Sequence, residues 1–483
     1  MISNLEQLKD LISQSPEGCA TFLGTHILYC QINDDVKEYS VSQNLFNDVI
    51  NSKEFKIEQS NMQTIVTLNF IKNGEKMAKN MVKKPELLAP AGNFDKLVTA
   101  VHFGADAVYF AGKKFGLRAF AGNFDDDEII RAMEYLHANG RKGYITLNIV
   151  AKDSDFDELD EYLDLMVKAN VDALIVNDIG IISYIHKKYP NMQIHVSTQA
   201  NVNNSKAAEV FYDLGASRVV LARELNLEQI SKIHENFGDK LELETFVHGA
   251  MCISYSGRCL LSNYLTGRDS NRGACVQACR WKYFIREENR DDELEMQEDD
   301  RGTYILNSKD MCLIDHLKEL ENAGVCSFKI EGRMKSDYYV ASVVNAYRRA
   351  LDGYNDMDVL HVELEKTSHR RYTTGFYFNA DDKEYLEDSM PVQTYTFIAK
   401  VVEDAHDGSV KVEMRNRFKA GDELEVLSAD ENFLKKIKIE KIINSLGQEI
   451  DDAKRVQEIV TINCPYTLKS GDILRVERKE ESN

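Results

Sequence analysis

The sequence predicts an α/β chain centred on a TIM-like (β/α)8 barrel, with a small α/β module before it and a small β-barrel domain after it. Two observations carry this. From Pro85 to about residue 355, short apolar runs rich in β-branched residues alternate with longer amphipathic stretches, the pattern of parallel strands joined by crossover helices. Eight such repeats can be counted, the number that closes a barrel, and no GxGxxG turn follows the first to suggest an open dinucleotide-binding sheet.

Residues 1–84 read as a separate module, helical over 5–12 and strand-like over 26–32 and 64–70, with no chemical motif; Cys19 and Cys30 read as small core residues. The barrel spans 85–355, with strands expected at 86–90, 107–111, 143–147, 173–176, 193–196, 218–222, 243–247 and 327–330. A ninth apolar run, 303–306, is placed in a long excursion between the seventh and eighth strands. After the eighth strand a helix is expected over 336–351, capped by Ser336 and ended by Gly353. Residues 356–391 form a connecting segment. From 392 to 483, alternating runs broken by Asp407-Gly408, Gly421-Asp422 and Gly471-Asp472 predict the β-barrel domain, a type of module that can dock RNA or protein.

Composition narrows the class. A chain of 483 residues with 43% hydrophobic content suits two or three domains. No run approaches the roughly 20 apolar residues of a membrane span, and the start lacks the features of a secretory leader, so a cytoplasmic enzyme is expected. The formal charge of -20 argues against non-specific coating of nucleic acid and confines any RNA contact to a local patch. Nine cysteines in a reducing compartment are not a disulfide framework, and five of them crowd between Cys252 and Cys312, which points to metal.

In barrels of this type catalytic groups come from the C-terminal strand ends. The polar residues expected there are Asn148, Asn177, Asp178, Thr198, Gln199, Arg223, Glu224, His248, Glu331 and Arg333. Immediately after His248 comes the sharpest signal, Cys252, Cys259, Cys275 and Cys279 in a C-x6-C-x15-C-x3-C spacing among glycines and polar residues. Four thiolates suit structural zinc or a 4Fe-4S cluster, and the absence of paired CxxC knuckles leans toward the cluster. Cys312, expected at a helix start where the dipole favours a thiolate, supplies a distant ligand. The expected ligand set is Cys252, Cys259, Cys275 and Cys312, with Cys279 as substitute for either of the last two. Arg258, Arg268, Arg272, Arg280, Lys282 and Arg286 interleave with Tyr255, Tyr264, Trp281, Tyr283 and Phe284. That mixture suits phosphate neutralisation and base stacking on RNA, or equally a shield over a cluster whose sulfurs the arginines bond.

Several motifs occur together: Pro85-Glu-Leu-Leu-Ala-Pro-Ala-Gly92, Tyr255-Ser-Gly-Arg-Cys259, Asn307-Ser-Lys-Asp310, Lys329-Ile-Glu-Gly-Arg-Met-Lys335 and Ser368-His-Arg-Arg-Tyr-Thr-Thr-Gly-Phe-Tyr377. In this order they resemble the collagenase-like peptidase family thirty-two, of unknown catalytic type, from Pro85 to the C-terminal region. Within it the chain is most similar to the tRNA 5-hydroxyuridine modification group. The resemblance implies a 4Fe-4S cluster on Cys252, Cys259, Cys275 and Cys312, prephenate as co-substrate, and hydroxylation of the tRNA wobble uridine. On chemical grounds His248 is then the expected proton-transfer residue, with Glu331 second, while Arg258, Arg272 and Arg333 would clamp the carboxylates of the co-substrate. A peptidase is the alternative that the family name suggests, but no HExxH, GxSxG or aspartic dyad signature is present. A non-catalytic RNA-binding protein with a structural cluster is the third reading.

Overall fold

The computed structural model describes residues 5–13, 19–23, 27–32, 35–51, 55–60, 63–68, 84–116, 122–252, 254–281, 298–299, 302–303, 309–378 and 392–478. Contacts divide the chain into two units, Met1–Lys83 and Lys84–Asn483.

The first unit is a five-stranded antiparallel sheet in the order Asp35–Ser40, Ile27–Ile32, Cys19–Leu23, Gln63–Leu68, Phe55–Ser60. Helices Leu5–Ser13 and Gln43–Asn51 belong to it. Their apolar residues recur four apart, Leu8 with Ile12 and Leu45 with Val49, and this stripe is buried with Leu28 and Cys30.

In the second unit eight parallel strands each precede a helix: β1 Glu86–Pro90 and α1 Phe94–His102, β2 Ala107–Phe110 and α2 Asp126–Ala138, β3 Lys142–Leu147 and α3 Leu159–Lys168, β4 Ala173–Val176 and α4 Ile179–Lys188. Then follow β5 Ile194–Val196 and α5 Ser205–Asp213, β6 Arg218–Val220 and α6 Leu227–Phe237, β7 Glu242–Ala250 and α7 Leu317–Asn322, β8 Val325–Ile330 and α8 Asp337–Leu351. Neighbours pair in sequence order, β7 pairs with β8, and β8 pairs with β1, so the ring closes. All eight predicted strands are present. Covered by helices outside and packed within, they are buried on both faces, which is why they read as unbroken apolar runs. Side-chain caps start the helices: Asn93 for α1, Asp125 with Glu128 for α2, Asp178 for α4, Asn204 for α5, Asn226 with Gln229 for α6 and Ser336 for α8.

The lumen is polar where a barrel of this kind normally holds branched aliphatics. Arg218 bonds Glu86 at 2.6 Å, Glu242 at 2.6 Å and Glu244 at 3.0 Å, and Lys329 bonds Glu244 at 2.7 Å. Glu244 and Arg218 are buried, so these charges persist only because each is paired. Nearer the C-terminal end, Lys329 lies 4.5 Å over the Tyr109 ring.

Strand β7 runs three residues past its predicted end, with a register shift between Phe246 and His248. Gly249, at φ 111°, passes so close to β8 that a Cβ there would sit 2.6 Å from the Glu331 carbonyl oxygen. The extension pairs antiparallel with a strand Asp310–Cys312, which pairs in parallel with Tyr372–Thr373. Cys312 therefore ends a strand instead of starting a helix, a correction imposed by this non-local pairing. The ninth run is outside the barrel wall: Gly302–Thr303 pairs with Glu298–Asp299, and 304–306 lie outside the described residues.

The C-terminal domain is an eight-stranded antiparallel sheet around its own core, in which Val410, Val412 and Met414 alternate inward with outward polar residues. Its end strands Lys436–Lys438 and Glu449–Ile450 do not pair with each other among the described residues. Leu427 and Ile473 of this sheet join the barrel's own core. Arg475, fully buried, bonds Glu363 of the helix Met357–Glu365 at 2.5 Å and Glu425 at 2.7 Å. No helix among the described residues is long and apolar enough to cross a membrane.

Candidate active site at the barrel mouth

The cysteine-bearing segment after β7 is fastened across the C-terminal ends of the strands. Arg272 grips Asp155, in the loop after β3, with bonds of 2.8 and 2.9 Å, and donates to the Val150 carbonyl at 2.7 Å. Arg258 donates to the Gln199 carbonyl after β5 at 2.7 Å. Glu224 after β6 accepts from the Ser256 amide at 2.6 Å and the Ser256 hydroxyl at 2.5 Å, which holds Ser256 at φ 42°. The segment thus covers the mouth. The guanidinium fork of Arg272, expected to clamp a co-substrate, is held here by Asp155. Arg258 is exposed and anchored through its Nε.

The short helix Leu261–Thr266 organises the sulfurs. Cys259 Sγ accepts from the Leu261 amide at 3.3 Å, and Cys275 Sγ accepts from the Gln277 amide at 3.3 Å and the Ser262 hydroxyl at 3.8 Å. Burial pushes the Cys259 thiol up, but hydrogen bonds from Ser254, the backbone of Leu261 and Ser262, and Ser270 outweigh it and hold the pKa below the usual value. Sulfurs that accept several N–H and O–H bonds suit thiolate ligands of a cluster, so Cys259 and Cys275 fit that donor chemistry. Cys279 lies in the adjoining turn Ala278–Arg280, and Cys252 is exposed. Cys312 is elsewhere in character: its thiol is pushed up to about 11, by burial first, and its sulfur lies 3.8 Å from the Tyr347 hydroxyl. Among the described residues no three His, Cys, Asp or Glu side chains are grouped to hold a metal ion.

His248 was expected at the mouth beside Cys252. The bulge in β7 turns it instead into a buried cage of Tyr339, Tyr347 and Tyr372, with its Nδ1 3.3 Å from the Tyr347 hydroxyl. Burial, followed by the charges of His369 and Lys335, brings its pKa down to about 3, and its Nε2 has no partner among the described residues. The imidazole is neutral at physiological pH.

Glu331 and Arg333 reach the mouth from the end of β8. The Tyr109 hydroxyl lies 3.0 Å from the Ile330 carbonyl and 3.3 Å from Glu331 Oε2, and Arg333, 5% exposed, donates to Thr146 Oγ1 at 2.9 Å. Burial first, then the Glu331 charge, raises the Tyr109 pKa well above the usual phenol value, against Arg333 and Arg223. Tyr109, Glu244 and Lys329 escaped the sequence reading because each sits within an apolar run. The Ser368–Tyr377 motif is built into the same region. His369 stacks on Tyr372, Arg370 meets Asp310 at 3.4 Å, and the Tyr377 hydroxyl donates to the Phe246 carbonyl at 3.3 Å. Leu260 and Tyr264, 70% and 82% exposed, stand on the outer surface of the covering segment with Tyr255 and Trp281. Lys282, Tyr283, Phe284 and Arg286 lie outside the described residues.

Comparison with known proteins agrees with this architecture. The chain is 38% identical over 419 residues to tRNA hydroxylation protein P1 of Bacillus subtilis, covering 84% of this chain and 98% of that protein. It is 34% identical over 434 residues to tRNA hydroxylation protein P of Escherichia coli, covering 80% and 95%. With the 23S rRNA 5-hydroxycytidine C2501 synthase of Escherichia coli it shares 34% identity over 362 residues, 71% of this chain and 52% of that protein. The model of Peptidase family U32 matches residues 92–387 and that of the Peptidase family U32 C-terminal domain matches 393–475, so the chain belongs to peptidase family U32.

Proposed function

We propose that the chain is an RNA-modifying enzyme that hydroxylates the wobble uridine of tRNA to 5-hydroxyuridine, with prephenate as co-substrate. In this reading Cys252, Cys259, Cys275 and Cys312 hold a 4Fe-4S cluster, with Cys279 as the substitute for Cys275 or Cys312. The similarity to proteins named for tRNA and rRNA hydroxylation supports it. The structural observation that carries it is the fastening of the cysteine segment over the barrel mouth through Asp155, Gln199 and Glu224. A bound cluster would supply redox or Lewis-acid chemistry there. The chain's own residues would do the rest. A flipped base would enter beneath the segment, where Glu331 and Tyr109 share a proton position and Arg333 offers a guanidinium to the co-substrate.

Relatives named as an uncharacterized protease of Methanocaldococcus jannaschii, 38% identical, and as a collagenase of Porphyromonas gingivalis, 35% identical, make a peptidase the second reading, and the chemistry of the site disfavours it. Cys312 faces His248 in the ladder, yet its thiol is pushed up to about 11 and its sulfur lies by Tyr347, so the pair presents no thiolate nucleophile.

The test is complementation of a strain lacking the protein with wild type and with Ala variants at Cys252, Cys259, Cys275, Cys279 and Cys312. Iron and sulfide are quantified on the anaerobically purified proteins, and 5-hydroxyuridine is quantified in their tRNA. About four irons and four sulfides per chain in wild type, with cluster and product lost together in four variants, is the expected result. Product that persists in the Cys252 and Cys259 variants, or stoichiometric zinc without sulfide, would sink the reading.

A further inference from the structure

Arg223 stands out once the arginines are compared by how their charge is met. Arg218 has Glu86, Glu242 and Glu244; Arg475 has Glu363 and Glu425; Arg272 has Asp155. Arg223, just past the end of β6, has no carboxylate partner among the described residues. Its guanidinium lies 4.0 Å over the Phe246 ring, and one terminal nitrogen donates to the Ala250 carbonyl at 3.0 Å. Its Nε is buried with no hydrogen-bond partner among the described residues. An aromatic face and a neutral carbonyl hold a guanidinium in place without neutralising it. A buried N–H donor left over on a held cation is the complement of an anion.

A second guanidinium stands at the same mouth. Arg333 follows β8, its terminal nitrogen on Thr146 of β3, and the Tyr109 hydroxyl, 3.3 Å from Glu331 Oε2, feels the charge of both arginines. Phe246 backs the arrangement on the β7 side. Above it lies the covering segment, since the Arg223 amide donates to Ser256 Oγ at 3.3 Å. Arg223 thus stands at the barrel mouth between the Phe246 ring and Ser256 of the covering segment, and Arg333 is buried, a setting that suits a small anion.

We propose that Arg223 and Arg333 together form the seat for a carboxylate of a small organic anion, with the Arg223 Nε–H as one of its donors. This rests on the reading above that a carboxylate co-substrate is used, and it replaces Arg258 and Arg272, which serve as anchors of the segment, by Arg223 as the partner of Arg333.

The experiment is calorimetric titration of the anaerobically purified full chain with prephenate, phenylpyruvate and inorganic phosphate, on wild type, Arg223→Gln and Arg223→Lys. The expected result is carboxylate binding weakened at least tenfold in Arg223→Gln. In Arg223→Lys, which keeps the charge but loses the fork, at least a fivefold loss is expected. Should Arg223→Gln fail to fold, the lysine variant carries the test. Carboxylate affinity unchanged in the folded variants, a wild type that binds none of the three, or one that binds phosphate alone would each overturn the seat. Arg223-dependent binding of phenylpyruvate without prephenate would support the seat while removing prephenate from the proposed reaction, so the two ideas fail separately.

Discussion

Arg272 and Asp155 form a two-pronged ion pair, 2.8 and 2.9 Å, that ties the cysteine segment to the loop after β3. Both side chains are partly exposed, so solvent screening holds the value of the pair to about 1–2 kcal/mol. Arg272→Ala is expected to open the segment and to raise its rate of limited tryptic cleavage by about 5–30-fold, the same energy expressed as a population. The hydrogen bonds from Arg272, against burial, lower the Asp155 pKa. A depressed carboxylate stabilises above its unfolded value of about 3.9 and loses that contribution as pH falls through the folded value, so wild type and variant should converge in segment opening, read by hydrogen exchange, only below about pH 4.

His195 lies in a cavity of about 480 Å³ at the N-terminal end of the barrel, edge-on to Tyr144 at 4.7 Å. Burial, then the charges of Arg218, Lys329 and Lys142, lowers its pKa well below the usual value. Above about pH 6.5 the ring is neutral in both folded and unfolded chains and pH has no effect through it. Below that value only the unfolded chain takes up the proton, so stability should fall by up to about 1.4 kcal/mol per pH unit through this residue. Denaturant titrations at pH 7 and pH 5.5 should show a smaller pH difference in His195→Gln than in wild type. An unchanged difference would mean that His195 is protonated in the folded state.

Arg475 is buried between Glu363 and Glu425, with Lys366 bonding Glu425 at 2.7 Å. Arg475→Met leaves carboxylates buried without their guanidinium, and a loss of about 3–5 kcal/mol in chemical denaturation is expected. Pairing it with Glu363→Gln should recover part of that loss, because the double variant removes the uncompensated charge as well. A double variant as unstable as the sum of the two single ones would place the effect in packing.

Thiol reactivity should rank the cysteines. In metal-free protein at pH 7.5, Cys259 should react with iodoacetamide at least tenfold faster than Cys326, whose thiol burial pushes up to about 12, and faster than Cys312. Mass spectrometry of the alkylated peptides reads this directly. Equal rates would show that the hydrogen bonds to Cys259 Sγ do not stabilise its thiolate.

The barrel strands were legible because parallel strands buried on both faces carry their signal in consecutive residues. The polar lumen was not. Glu86 and Arg218 look like the polar residues that flank any strand, Glu244 and Lys329 sit inside apolar runs, and only ring closure brings the four within hydrogen-bond distance. Cys312 was misread for a related reason: Asp310 ahead of it resembles a helix cap, while its fate is set by pairing with Ala250, far away in sequence. The cysteine spacing and the ring of polar strand ends located the mouth. Which arginine faces inward was decided by partners that no local pattern encodes, Asp155 for Arg272 and the Gln199 carbonyl for Arg258.

The excursion that carries the cysteines leaves β7 at Ala250 and returns at Asp310, and these two residues face each other in one ladder. Whatever lies between them begins and ends at the same point of the scaffold. Doubling the length of such a closed loop adds only about 0.6 kcal/mol of chain entropy. The length of the excursion therefore bears little on the register of the ring beneath, while Ser256, Arg258 and Arg272 fix where its described part lies.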